Sequence, residues 1–268
     1  MPALPLPDGV SLHYEIDGNG PPLMLIAGTA SDSASWAPLV EPLARRFTVI
    51  RPDNRSTGRT RPLEAPLSLP LWAGDALALA AHLDRGPIAL AGHSLGGMIA
   101  MQMAAQAPEA VSRLALLASA PVEQPRNAAL FDLMLRLRAP GLAPDLWLRA
   151  FLPWLFHPRF FAVPGQLEAA IAQSLAYPHA QGAAAMAAQV AALQAAHPAP
   201  LAPRLRCPTL ALLAEDDLLI PPGPARDALK TVPDLRVVAV PDSGHSIHWD
   251  APEAVLAALI PFFGGDDA

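Results

Sequence analysis

The hexapeptide Gly92-His93-Ser94-Leu95-Gly96-Gly97 constrains the fold of this chain more than any other stretch. It stands between an apolar run, Pro87 to Ala91, and a small-residue amphipathic stretch, Met98 to Ala107. A serine with glycine two residues away on each side is the pattern of a nucleophile elbow, G-x-S-x-G. A strand that turns sharply into a helix forces the central residue to positive φ, and side chains two positions away would collide there. The same turn holds the Ser94 hydroxyl clear of the backbone, at the positive end of the following helix. The apolar run before and the helical pattern after distinguish it from a glycine-rich turn with an incidental serine.

Around the elbow the chain alternates strand and helix. Val10 to Ile16 alternates like a half-exposed strand, whereas Leu23 to Ile26, Phe47 to Ile50, Pro87 to Ala91 and Leu114 to Ala118 are short continuous apolar runs, as buried parallel strands require. Ser68 is placed to cap a helix over Leu69 to Leu83. From Pro121 to about Leu205 no strand is convincing. Leu130 to Leu137, Leu146 to Phe156, Gln166 to Ala176 and Ala183 to Ala196 read as helices divided by prolines. Alternation resumes with a strand at Thr209 to Leu213, a helix at Pro224 to Thr231, a strand at Arg236 to Val240 and a helix at Val255 to Phe263. The expected fold is therefore α/β: a mostly parallel, doubly wound sheet carrying a helical insertion. The core takes residues 1–120 and 206–268, and the insertion takes 121–205 as a cap over one mouth of the sheet. Its aromatic residues, Trp154 and Phe161 among them, are expected to line part of a pocket over Ser94, with packing of the cap's own core as the alternative.

The remaining composition narrows the partners. The 268 residues carry a net charge of −6, and the arginines are scattered, with Arg45-Arg46 their densest cluster. No basic stripe offers phosphates a landing site, so nucleic acid is not an expected partner. No apolar run reaches the roughly 18–20 residues of a membrane span, and the N-terminus lacks the basic and apolar regions of a signal peptide. The reading is a soluble, cytoplasmic protein. Its single cysteine, Cys207, has no internal partner and reads as a buried small hydrophobe.

A serine hydroxyl becomes a nucleophile only when a base removes its proton, and the base needs a partner to fix its tautomer. Asp216 and Asp217 follow the strand Thr209 to Leu213, and His245 follows the strand ending at Val240. Ser, then acid, then His is the chain order expected with this elbow, and all fall on loops at the same carboxyl edge of the sheet. The aspartates alone could be turn residues. His248 competes with His245 for the base role. However, Asp250-Ala251-Pro252-Glu253 reads as a capping box that opens the last helix, which leaves His245 on the glycine-flexed loop as the better base. The His245–His248 pair lacks the further ligands of a metal site. The two oxyanion donors are expected to be the backbone N–H of Leu95, after the nucleophile, and of Thr29, in the loop Ala27-Gly28-Thr29-Ala30.

Over nearly its whole length the chain resembles the α/β-hydrolase superfamily, especially small serine esterases and enol-lactonases with a helical cap. The pieces that carry the resemblance are Gly28 with Trp36 downstream, Asp53-Asn54-Arg55-Ser56-Thr57-Gly58-Arg59, the elbow, Cys207-Pro208-Thr209 leading to Glu215-Asp216-Asp217, and Gly244-His245. The resemblance implies that Asp217, rather than Asp216, is the acid. The family usually has histidine where this chain has Ala27 and glycine where it has Ala214. It implies a cofactor-independent hydrolase that cleaves small-molecule carboxylic esters through an acyl-enzyme. The alternatives are a lactonase using the same machinery and a ligand receptor that retains the triad. Ser94 stands where dehalogenases and epoxide hydrolases of this fold carry a carboxylate.

Overall fold

The computed structural model describes residues 2–265. Its first half contains β1 (Ala3–Pro5), β2 (Ser11–Asp17), β3 (Pro22–Ile26), α1 (Ala37–Ala44), β4 (Thr48–Pro52), α2 (Leu69–Leu83), β5 (Ile88–His93), α3 (Leu95–Gln106) and β6 (Val111–Leu117). Five helices then follow without a strand: α4 (Pro125–Leu137), α5 (Leu146–Leu155), α6 (Pro158–Ala162), α7 (Gln166–Ala176) and α8 (Ala183–Gln194). The chain closes with β7 (Thr209–Ala214), α9 (Pro222–Leu229), β8 (Leu235–Val240), α10 (Ile247–Asp250) and α11 (Pro252–Gly264).

The eight strands form one sheet in the order β1-β2-β4-β3-β5-β6-β7-β8. The pairings from β4 through β8 are parallel, and β1 and β2 join at one edge antiparallel. Side chains alternate between two buried faces, as the two-residue period of a strand requires. Met24, Ile26, Leu90, Leu114, Leu116, Ala211 and Leu213 pack with α2, α3 and α9, while Leu23, Leu25, Ala89, Ala91, Leu210 and Leu212 pack with α1 and α11. Each fully buried leucine or isoleucine contributes roughly 1.5–3 kcal/mol of transfer free energy, so sandwiching the parallel strands between helices fixes their register.

Local signals account for most boundaries. The Ser68 side chain accepts the Leu71 N–H at 3.3 Å and starts α2 as its sequence suggests. Cys207 is buried and unpaired. The antiparallel β1, only three residues long, was not anticipated, nor was α1, whose Pro38 and Pro42 obscure a helical pattern. The anticipated capping box is absent: Ala251 stands at the start of α11, which has no side-chain cap. The Asp250 carboxylate instead turns back, accepting the backbone N–H groups of Gly244 and His157 at 2.8 and 2.9 Å. Two donors on separate segments outcompete one helix terminus that water can serve.

Candidate active site

The strand-to-helix turn between β5 and α3 places Ser94 at φ 53°. Glycine on either side is a steric necessity. A Cβ on Gly92 would lie 2.3 Å from the Gly96 carbonyl oxygen, and one on Gly96 would lie 2.0 Å from that of Ile26. The Ser94 backbone is tied down by its N–H donating to Leu117 C=O at 3.1 Å and by the Ser119 hydroxyl donating to Ser94 C=O at 2.7 Å.

The loop after β3 is fixed on both sides of Thr29. Asn54 Nδ2 donates to Ala27 C=O at 3.0 Å, and the Ala30 N–H donates to Gln189 Oε1 of α8 at 2.8 Å. Asn54 thus anchors the residue that the resemblance marks as unusual. Among the described residues, neither the Thr29 N–H nor the Leu95 N–H has an acceptor. Gly28 lets this loop approach the elbow, since a Cβ there would meet His93 Nδ1 at 3.0 Å and Ser94 Cβ at 3.2 Å.

Asp217 and His245 are brought together. His245 Nδ1 lies 2.9 and 3.1 Å from the two Asp217 carboxylate oxygens, with both side chains buried. Asp217 Oδ1 also accepts the Leu219 and Ile220 N–H groups, each at 2.8 Å, which fixes the carboxylate's orientation. Asp216 points elsewhere, is half exposed, and faces His157 Nε2 at 3.4 Å. Glu123, a further carboxylate after β6, faces His197 at 3.2 Å in an exposed pair.

Two more histidines pack beneath His245. His93 and His248 have ring centroids 4.5 Å apart, and His93 lies 4.9 Å from His245. His93 Nε2 is 2.8 Å from His245 C=O. A carbonyl can only accept, so His93 carries its proton on Nε2. Burial, with the neighbouring imidazoles adding to it, holds His93 well below the ordinary histidine value, and burial pushes His248 down to about 3. Both rings are therefore neutral. His248 packs against the buried Trp36, with ring centroids 5.0 Å apart and the planes tilted by 37°, and lies against the site as packing.

Ser94 and His245 share a cavity of about 390 Å³ whose walls include Thr29, Phe131, Trp147, Phe151, Leu155 and Tyr177. The helices between β6 and β7 thus close over the sheet edge that carries Ser94. Among the described residues no group of His, Cys, Asp or Glu side chains could hold a metal ion, and no helix is long and apolar enough to cross a membrane.

A model of the alpha/beta hydrolase fold matches residues 21–252. The chain belongs to the alpha/beta hydrolase family. It is 31% identical to "Putative carbamate hydrolase RutD" of Azorhizobium caulinodans, over 96% of this chain and 96% of that protein. Among solved structures, a thermophilic esterase from Thermogutta terrifontis superposes with a TM-score of 0.83 at 26% identity, covering 98% of this chain and 97% of that one. The enol-lactonase from Burkholderia xenovorans LB400 superposes at 0.85 with 25% identity, covering 98% of this chain and 100% of that one.

Within this hydrolase fold the expectation for Trp154 and Phe161 needs correction. Neither lines the cavity at Ser94. Trp147, Leu148, Phe151, Leu152 and Leu155 of α5 do. At about 100° per residue they cover an arc of roughly 140°, and Trp154 falls about 20° beyond its edge. Trp154 packs against the Leu130–Met186 cluster and lies 5.1 Å beneath the Arg126 guanidinium. Phe161, on α6, packs on the Leu148–Ile171 cluster and meets Phe160 edge-on at 5.1 Å. Sequence reasoning gave Asp250 a capping role it does not have and missed Gln189 and His93, of which only His93 carried a visible sign, its place inside the elbow motif.

Proposed function

We propose that the protein is a cofactor-independent serine hydrolase of carboxylic esters, with Ser94 as nucleophile, His245 as base and Asp217 as the acid that orients it. The observation that carries this reading is the buried Asp217–His245 pair, 2.9 Å apart, whose His245 lines the same cavity as a serine held at positive φ. The ionised Asp217 takes a hydrogen bond from His245 Nδ1–H, which leaves the Nε2 lone pair free to accept the Ser94 proton. Ser94 Oγ attacks the ester carbonyl, and the oxyanion accepts the N–H groups of Leu95 and Thr29. Collapse expels the alkoxide, which takes the proton from His245. Water, deprotonated by His245, then attacks the acyl-enzyme, and as the second intermediate collapses the departing Ser94 oxygen takes that proton back from His245, which releases the acid and restores the hydroxyl.

The pinning of Ala27 and Ala30 supports the Thr29 assignment, because a donor preorganised on both sides needs no reorganisation as charge develops. Residues 121–205 act as the cap, which excludes water and shapes the site. A cavity of about 390 Å³ suits a small substrate. A lactone is the second reading, favoured by the likeness to the enol-lactonase at a TM-score of 0.85. The test is a panel of p-nitrophenyl esters of increasing chain length beside several lactones. Turnover of short esters many orders above the uncatalysed rate supports the ester reading. Turnover of lactones alone favours the second, and hydrolysis of neither refutes both.

A further inference from the structure

Arg138, at the carboxyl end of α4, stands in the wall of the cavity that holds Ser94, and it is the one Arg or Lys among the described residues that line it. Its guanidinium lies 4.5 Å over the Trp147 ring. Two of its nitrogens are engaged by neutral groups: Nη2 donates to Gln181 C=O at 2.6 Å, and Nη1 meets Met186 Sδ at 3.0 Å. Elsewhere in the molecule, three other buried or half-buried arginines hold carboxylates: Arg51 with Asp17, Arg55 with Asp75 and Asp8, and Arg59 with Asp53 and Glu15. Arg138 has no carboxylate partner among the described residues. Burial pushes its guanidinium below the ordinary arginine value, with no opposing charge to offset it.

A partly buried cation without a counter-ion is a cost to the fold. The cost is accounted for if the counter-ion arrives with the ligand. A guanidinium offers five N–H donors in a planar fork that matches a carboxylate, and its contact with the Trp147 ring and its hydrogen bond to Gln181 C=O position it in advance. The rest of the cavity is mainly apolar, with Phe131, Leu148, Phe151, Leu152 and Leu155 between the arginine's helices and the sheet edge. The carboxylate already in the wall, Asp32, is committed to the Tyr177 hydroxyl at 2.8 Å and the Ala34 N–H at 2.9 Å, so it does not compete for Arg138.

We infer that Arg138 is a specificity-determining residue that recognises a carboxylate, and that the preferred substrate is an ester or lactone carrying a free carboxylate in addition to the bond cleaved. The inference rests on the ester-hydrolase reading. The carboxylate pairs with Arg138 while the apolar stretch of the substrate crosses the phenylalanine and leucine wall to bring its carbonyl to Ser94. Arg138 touches the substrate away from the reacting atoms and takes no part in the chemistry.

The test compares matched substrates. On the acyl side these are monomethyl adipate and methyl heptanoate, and on the alcohol side 4-carboxyphenyl butyrate and phenyl butyrate. The native protein is expected to favour the anionic member of at least one pair in kcat/KM. Arg138→Gln is expected to lower that ratio about tenfold or more, the worth of a charge-assisted hydrogen bond, and Arg138→Lys to retain part of it. Labelling of Ser94 by a fluorophosphonate in each variant verifies that the site has folded. The inference is overturned if the native protein favours the neutral member of both pairs, or if Arg138→Gln leaves the ratio unchanged. A native protein that hydrolyses p-nitrophenyl esters but none of these four overturns this inference alone, whereas one that hydrolyses no ester at all overturns the ester-hydrolase reading on which it rests.

Discussion

His248 makes the protein's stability depend on pH in a way that can be worked out in advance. Its ring is wholly enclosed between Trp36 and His93, and its folded pKa is pushed down to about 3. In the unfolded chain a histidine titrates near 6.5. Below that value the unfolded state binds a proton that the folded state refuses, so stability falls as pH falls from about 6.5 toward 3. At pH 5, about 1.5 pH units below the unfolded value, the loss is about 2 kcal/mol. For a chain of this size that is roughly 4–8 °C of melting temperature. Other groups also titrate in this range, so the assay is a difference. Native protein and His248→Gln are each melted at pH 7 and pH 5 by circular dichroism. The native protein should lose roughly 4–8 °C more between the two than the variant does, whatever their absolute stabilities. Equal losses would refute the claim that His248 is held neutral by burial.

The acid assignment predicts that Asp217→Asn lowers kcat by about 10⁴-fold, because an amide favours the wrong imidazole tautomer, while Asp216→Asn changes kcat little. Steady-state rates on any hydrolysed ester check the ranking, and the reverse ranking would sink it. Gly244→Ala should destabilise the fold by about 1–3 kcal/mol through overpacking. Its Cβ would stand 2.9 Å from His157 N and Phe156 C and 3.0 Å from Leu155 O, whereas Gly223→Ala, with nothing within 4 Å, should be nearly neutral. Thermal melts of the two variants test this, and equal effects would contradict the close approach of the two segments.

What the sequence made legible is what has a local cause. The elbow is readable because Gly92 answers a clash with Gly96, four residues on, and the Ser68 cap because its partner is three residues on. The Asp217–His245 pair is readable because the sheet's topology sends both loops to one edge. Asp250 misled because its local pattern fits a capping box while its real partners lie 6 and 93 residues away. Trp154 was misplaced for a related reason. Helical periodicity gives a stripe, and a shift of roughly 20° about α5 decides which side of it faces the cavity. Arg138 could not be recognised from sequence at all, since its lack of a carboxylate depends on where every other helix places its acids.

The central claim, that Ser94 is the nucleophile, is tested most directly by covalent capture. Incubation with a fluorophosphonate, followed by proteolysis and mass spectrometry, should give one adduct, on Ser94. Ser94→Ala should take no label, keep its melting temperature and lose ester hydrolysis by about 10⁴- to 10⁶-fold in kcat. An adduct on another residue, or a Ser94→Ala protein that retains more than roughly a few per cent of activity, would contradict the account.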